Sequence, residues 1–156
     1  QFPSLKIVLE HITSADAVKF INNQSMVAAT ITIHHLVVNR NIMLSKGIRP
    51  DFYCAPILKT EYDRLALVQA AISGNRKFFL GTDSAPHVAG KKIASCGCAG
   101  IFNSPVAVEV TTQIFDTVGK LEMLERFMTT NGCDFYGLEY PKEFLLLMVL
   151  CWRMRI

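Results

Sequence analysis

Apolar residues come along this chain in short bursts, and the bursts alternate with polar, helix-prone stretches. Leu5-Lys6-Ile7-Val8-Leu9-Glu10-His11 is a β-prone run ending in an acid and an imidazole, and Thr13-Ser14-Ala15-Asp16 supplies residues that start helices. Ala15, Val18, Phe20 and Ile21 give that helix an apolar side. The scheme repeats with Met26 through Ile33 as a strand and His34-His35 at its end. Consecutive strand side chains point to opposite faces, so these two imidazoles are expected to be structural or supporting rather than joint ligands. Asn39-Arg40-Asn41 and Gly47 to Pro50 read as irregular polar connection, and Phe52 to Leu58 as an extended segment broken by proline. From Glu61 to Ser73, Leu65, Leu67, Val68, Ala71 and Ile72 recur at near-helical spacing, with Gly74 placed just past the end.

The third unit carries the strongest signal. Phe78-Phe79-Leu80 suits a strand covered on both faces, Gly81 allows a close approach, and Pro86 stops the strand before His87. Asp83 stands where that strand ends; it either caps the following turn or serves as a catalytic or ligand-binding acid. Lys91 and Lys92 read as a solvated loop, and Ser95 to Gly100 as a glycine-rich loop able to bring backbone amides against a ligand. Pro105 falls near a helix start; Val106 to Val118 and Leu121 to Met128 read as helices separated by Gly119, and Asn131-Gly132 as a turn. Strand, imidazole or acid, helix: that rhythm predicts an α/β fold with a parallel sheet. A complete eight-unit barrel takes about 250 residues. Three units imply either a small open sheet or the carboxyl-terminal portion of an incomplete (β/α)8 TIM barrel.

Composition narrows the classes. With 156 residues, 51% of them hydrophobic, and a net charge of +3, the chain suits one globular domain or part of a larger one rather than a disordered tail. Sixteen basic and thirteen acidic residues without long runs give no footprint for nucleic acid. Five cysteines, an odd number without paired CxxC spacing, suit a reducing, cytoplasmic setting, and the two thiols of Cys96-Gly97-Cys98 do not close a tetrahedral metal site. No secretory pattern opens the sequence. The apolar run from Phe144 to Trp152 is shorter than the about 20 residues of a membrane helix, so no membrane partner is expected.

Several blocks together carry a resemblance. Leu9-Glu10-His11-Ile12-Thr13, Ala29-Thr30-Ile31-Thr32 with His35-Leu36, Asn39-Arg40-Asn41, Pro56-Ile57-Leu58-Lys59, Phe79 to His87, Ser95 to Gly100 and Phe135-Tyr136-Gly137-Leu138 resemble, in order and spacing, the carboxyl-terminal part of dihydroorotases of the single-function bacterial and plant type. The likeness is read as far as about Tyr140, which makes residues 1–140 a partial barrel domain and 141–156 a divergent apolar tail. Ile33 and Ile93 depart from the family pattern, which usually has a proline and an acid there.

The resemblance implies a (β/α)8 barrel with two zinc ions at its mouth and a small-molecule substrate, dihydroorotate or N-carbamoyl aspartate, interconverted in pyrimidine synthesis. It admits a homodimer for an intact enzyme, and an organelle if a transit peptide exists. By position, His11 and Asp83 would be zinc ligands and Asp83 also the general acid/base. His87 and the backbone at Ala99 would hold the substrate carboxylate, and the backbone at Ala55 the ring edge. Zinc brings water toward ionisation at neutral pH, and a carboxylate then moves its proton to the departing amide nitrogen. Without the family, His11 reads as a hydrogen-bonded core histidine. The family's other metal ligands, a His-x-His pair, a carboxylated lysine and a further histidine, have no counterpart upstream of Gln1, so the polypeptide as given is expected to be inactive and to bind zinc weakly. A non-catalytic interaction protein, or another cyclic amidase of hydantoinase or allantoinase type, are the alternative readings.

Overall fold

A computed structural model describes residues 2–146. Three short parallel strands, β1 (Ile7–Leu9), β2 (Val27–Ile31) and β3 (Phe78–Leu80), form one sheet in that order. Ile7 lies beside Val27, Leu9 beside Ala29, Ala29 beside Phe78 and Ile31 beside Leu80. Parallel strands need a crossover, and helices provide it. Helix α1 (Ala15–Asn22) starts at Ser14, whose hydroxyl accepts from the Ala17 amide. After β2 come α2 (Ile33–Val37) and α3 (Arg40–Leu44), and α4 (Glu61–Ile72) leads back to β3. Thr60 and Asp63 close a capping box on α4, and Asp63 also accepts from the Ala15 amide, which ties the starts of α1 and α4 together. Beyond β3 lie α5 (Ala89–Lys92), α6 (Ala107–Thr117) and α7 (Asn131–Tyr136).

The core forms where the helices cover one face of the sheet. Ala29, Ile31 and Phe78 pack with Ile21 of α1, Leu36 of α2, Leu67 and Ala71 of α4 and Phe115 of α6, all essentially buried. Each large side chain so buried contributes about 1.5–3 kcal/mol. On the other face, Phe79 meets Phe135 and Tyr136 of α7, while Thr30 points toward the end of β1. No helix among the described residues is long and apolar enough to cross a membrane.

Several expectations need correction. The second strand stops at Ile31 because the Thr32 hydroxyl accepts from the His35 amide and turns the chain into α2, so His34 and His35 are helical, not strand, residues. Asn39 likewise caps α3, converting the expected irregular connection into a helix. Leu121–Met123 is a 3-10 turn and Arg126–Thr130 a π-helical stretch rather than one α-helix, and Asn131-Gly132 opens α7 instead of forming a turn. The last ten residues, 147–156, which include most of the apolar run, lie outside the described residues.

Candidate functional site

Because the three strands run parallel, their carboxyl ends share one edge, and the side chains that follow them converge there. His11, just beyond β1, and Asp83, just beyond β3, both take up positive φ, 57° and 42°, a conformation that costs backbone energy for residues other than glycine. The chain turns at these points. His11 Nε2 comes within 3.8 Å of Asp83 Oδ1, with the two side chains 21% and 31% exposed. Among the described residues the Asp83 carboxylate accepts no hydrogen bond, so it is not acting as the cap of its turn.

Thr30, from the middle strand, orients the imidazole. Its hydroxyl accepts from the His11 amide at 2.7 Å, donates to Glu10 Oε2 at 2.6 Å, and lies 3.2 Å from His11 Nδ1. These contacts fix the ring so that Nε2 faces Asp83. An imidazole nitrogen and a carboxylate oxygen directed at one small space are the ligand types a divalent cation takes. Gly81 makes room for Thr30: a Cβ on Gly81 would sit 2.6 Å from Thr30 Cβ.

A buried layer supports this edge. His34 and His35 pack with ring centroids 4.5 Å apart and planes tilted by 45°. Burial holds His34 down to about 3 and His35 to about 4 from the ordinary 6.5, with their mutual repulsion adding for His34, so both rings are neutral. His35 is fully engaged: Nδ1 lies 2.6 Å from the Thr32 hydroxyl and Nε2 donates to the Pro56 carbonyl at 2.9 Å. Asn103 Nδ2 donates to both His34 Nδ1 and Thr82 O at 2.9 Å, fastening the peptide before Asp83. His34, His35 and Cys54 offer possible ligand atoms within 4.8 Å of one another. Yet the Cys54 thiol points at Pro56 O and burial pushes its pKa up, and both His35 nitrogens are taken. Within the trio only His34 Nε2 is left without a partner among the described residues.

The remaining candidates meet in the adjoining loops. His87 Nε2 donates to the Ala99 carbonyl at 3.0 Å. Ser84 pairs with Ile101 as a parallel bridge, and its hydroxyl accepts from the Asn103 and Ser104 amides. Gly100 takes φ 148°, and a Cβ there would lie 2.5 Å from Ala85 Cβ and 2.9 Å from His87 Nε2. The Gly100 amide donates to Tyr53 O at 2.9 Å, which brings the loop carrying exposed Ala55 against it. Lys92 contradicts the expectation of a solvated side chain. It is 7% exposed and donates to Tyr53 O, Cys98 O and Gly100 O at 2.8, 3.0 and 2.7 Å. Lys91 is exposed, as expected.

The chain thus faces His11 with Asp83, bonds His87 to Ala99, and joins the Ala55 loop to the latter. Thr30, Asn103 and Lys92 escaped the sequence reading; only the rarity of buried lysine, invisible in sequence, distinguishes the last. Two surface grooves, about 250 Å³ beside Lys6, Met26 and Lys77 and about 620 Å³ beside Leu124, Met128 and Tyr140, include none of these residues.

Comparison with known proteins adds relatives. No protein-family model matches the chain. Dihydroorotases of Vibrio vulnificus and Vibrio cholerae are each 57% identical to it over 152 residues, covering 97% of this chain and 44% of theirs. The chain therefore spans less than half the length of these curated relatives, and the similarity runs past Tyr140, further than the sequence blocks suggested. Among solved structures, the dihydroorotase of Saccharomyces cerevisiae in complex with 5-fluoroorotic acid superposes with a TM-score of 0.82 at 38% identity, over 88% of this chain and 40% of that one. The Campylobacter jejuni dihydroorotase gives 0.80 at 36%, over 90% and 41%. A D-hydantoinase gives 0.70 at 16% identity, over 83% and 31%, a likeness of fold alone. In sequence and in fold, the chain matches the carboxyl-terminal part of the dihydroorotases.

Proposed function

We propose that these residues form part of the active-site rim of a dihydroorotase, which opens the ring of dihydroorotate by hydrolysis and closes N-carbamoyl aspartate in reverse. The observation that carries the reading is the approach of His11 Nε2 to the Asp83 carboxylate, 3.8 Å apart, at the carboxyl edge of a parallel sheet. That donor set fits zinc, which takes imidazole nitrogen and carboxylate oxygen. Zinc, when bound, would activate water and polarise the ring amide. Asp83 would take the proton from the attacking water and return it to the leaving amide nitrogen, being held at a fixed strand end and accepting from no other donor among the described residues. His87 and the Ala99 amide would hold the substrate carboxylate, and the Ala55 backbone the ring edge. The fluoroorotate bound by the yeast relative is a pyrimidine carboxylic acid, which supports such a ligand class.

In this reading the three strands belong to a (β/α)8 barrel, with a homodimer as the assembly. A hydantoinase-type activity is disfavoured, since 16% identity stands against 57%. Two side chains are fewer than the three protein ligands a catalytic zinc takes. A polypeptide of these 156 residues is therefore expected to bind zinc weakly and to show no turnover at an enzymatic rate. Isothermal titration with zinc tests the reading in three proteins: the chain, His11→Ala and Asp83→Ala. The heat should be weak in the first and lost in both variants; equal binding in all three would refute a shared site.

A further inference from the structure

Between residues 98 and 100 the backbone offers six polar groups, and five are engaged. The Cys98 amide donates to Lys91 O, and the Gly100 amide to Tyr53 O. The Ala99 carbonyl accepts from His87, and the carbonyls of Cys98 and Gly100 both accept from the Lys92 ammonium. Only the Ala99 N–H has no partner among the described residues.

The ammonium decides where that N–H points. In a planar trans peptide the N–H lies opposite the carbonyl of the preceding residue. Holding Cys98 O on Lys92 therefore aims the Ala99 N–H away from the lysine. A charged donor on that carbonyl also polarises the same peptide and makes its N–H a stronger donor. Lys92 has three protons, and its three carbonyl partners use them all, so the buried charge is satisfied without facing the ligand. Its third partner, Tyr53 O, also accepts the Gly100 amide, which fixes this loop to the one carrying Ala55.

We propose that Lys92 is a positioning residue for anion recognition: it aims and strengthens the Ala99 amide as a donor to a ligand carboxylate. This rests on the reading above that Ala99 meets such a carboxylate. It assigns to a lysine that never touches the ligand a part in choosing carboxylated over uncharged rings.

The experiment follows the Ala99 amide by ¹H–¹⁵N NMR in the chain, in Lys92→Met and in Lys92→Arg, during titration with 5-fluoroorotate and with 5-fluorouracil, the same ring without the carboxylate. The Ala99 resonance should move in Lys92→Met before any ligand is added, and 5-fluoroorotate should then bind about tenfold more weakly. Lys92→Arg, which keeps charge and donors, should recover part of that loss, and 5-fluorouracil should not discriminate among the three proteins. An unmoved Ala99 resonance in a folded Lys92→Met overturns the proposal, as does unchanged 5-fluoroorotate affinity. If Lys92→Met does not fold, Lys92→Gln, which keeps donors but loses the charge, takes its place: an Ala99 resonance unmoved in that variant refutes the orientation argument. If the parent chain shows no preference for 5-fluoroorotate, the carboxylate site itself fails, while the Ala99 resonances still decide what Lys92 does.

Discussion

Lowering the pH from 7.5 to 5 should strip this fold of a large part of its stability through His34 and His35. Both imidazoles stay neutral in the folded chain because burial depresses their pKa values from 6.5 to about 3 and about 4. The unfolded chain binds a proton on each below pH 6.5, so stability falls as pH falls from there and stops falling only near the folded values. At pH 5 each unfolded histidine lies about 1.5 pH units below its pKa, worth about 2 kcal/mol, so the pair costs about 4 kcal/mol. Domains of this size hold only about 5–15 kcal/mol in total. The carboxylates do not confuse the measurement. The Arg64 and Asn39 hydrogen bonds that hold Glu61 at about 2, and the Thr60 and Ala15 contacts that lower Asp63 against its desolvation, are lost only below about pH 4.5. Urea unfolding at pH 7.5, 6.5, 5.5 and 5 checks the slope, and His34→Gln should remove about half of it. A stability flat within about 1 kcal/mol over this window, or a slope unchanged in the variant, would refute the claim that both rings are buried and neutral.

Other perturbations reach the same edge by different routes. Gly81→Ala drives a methyl to 2.6 Å from Thr30 Cβ and should cost about 1–3 kcal/mol, read by urea unfolding; pairing it with Thr30→Ala should recover part of that loss. Asn103→Ala leaves Thr82 O and His34 Nδ1 without their shared donor and should destabilise by about 1–3 kcal/mol, with the amide resonance of Asp83 shifting in the same variant. Thr60→Ala removes the capping box of α4 and should lower stability by about 1 kcal/mol in thermal unfolding, without moving the Asp83 resonance.

Period and punctuation made much of the architecture legible. Phe78-Phe79-Leu80 could only be a covered strand, the Leu65 to Ile72 spacing a helix, and the repeated unit a parallel sheet, because each of these follows from local burial pattern and backbone preference. Local chemistry misled where one side chain redirected the backbone. The Thr32 and Asn39 caps turned presumed strand and loop into α2 and α3, and a hydroxyl or amide that ends one element looks the same in sequence as one that continues it.

The functional candidates were named from short motifs, and their meeting was not. His11 and Asp83 stand far apart in the chain, and the register of β1 on β2 and β2 on β3 brings their side chains to 3.8 Å. Lys92 shows the limit most plainly. Beside Lys91 it has the same charge and the adjacent place in sequence, yet three carbonyls from two loops enclose one ammonium and leave the other in water. Sequence by itself determined which segments could be strands and helices and which residue types could do chemistry. The tertiary structure alone decided which of those residues share a space, because that depends on contacts between chain segments whose separation no local pattern encodes.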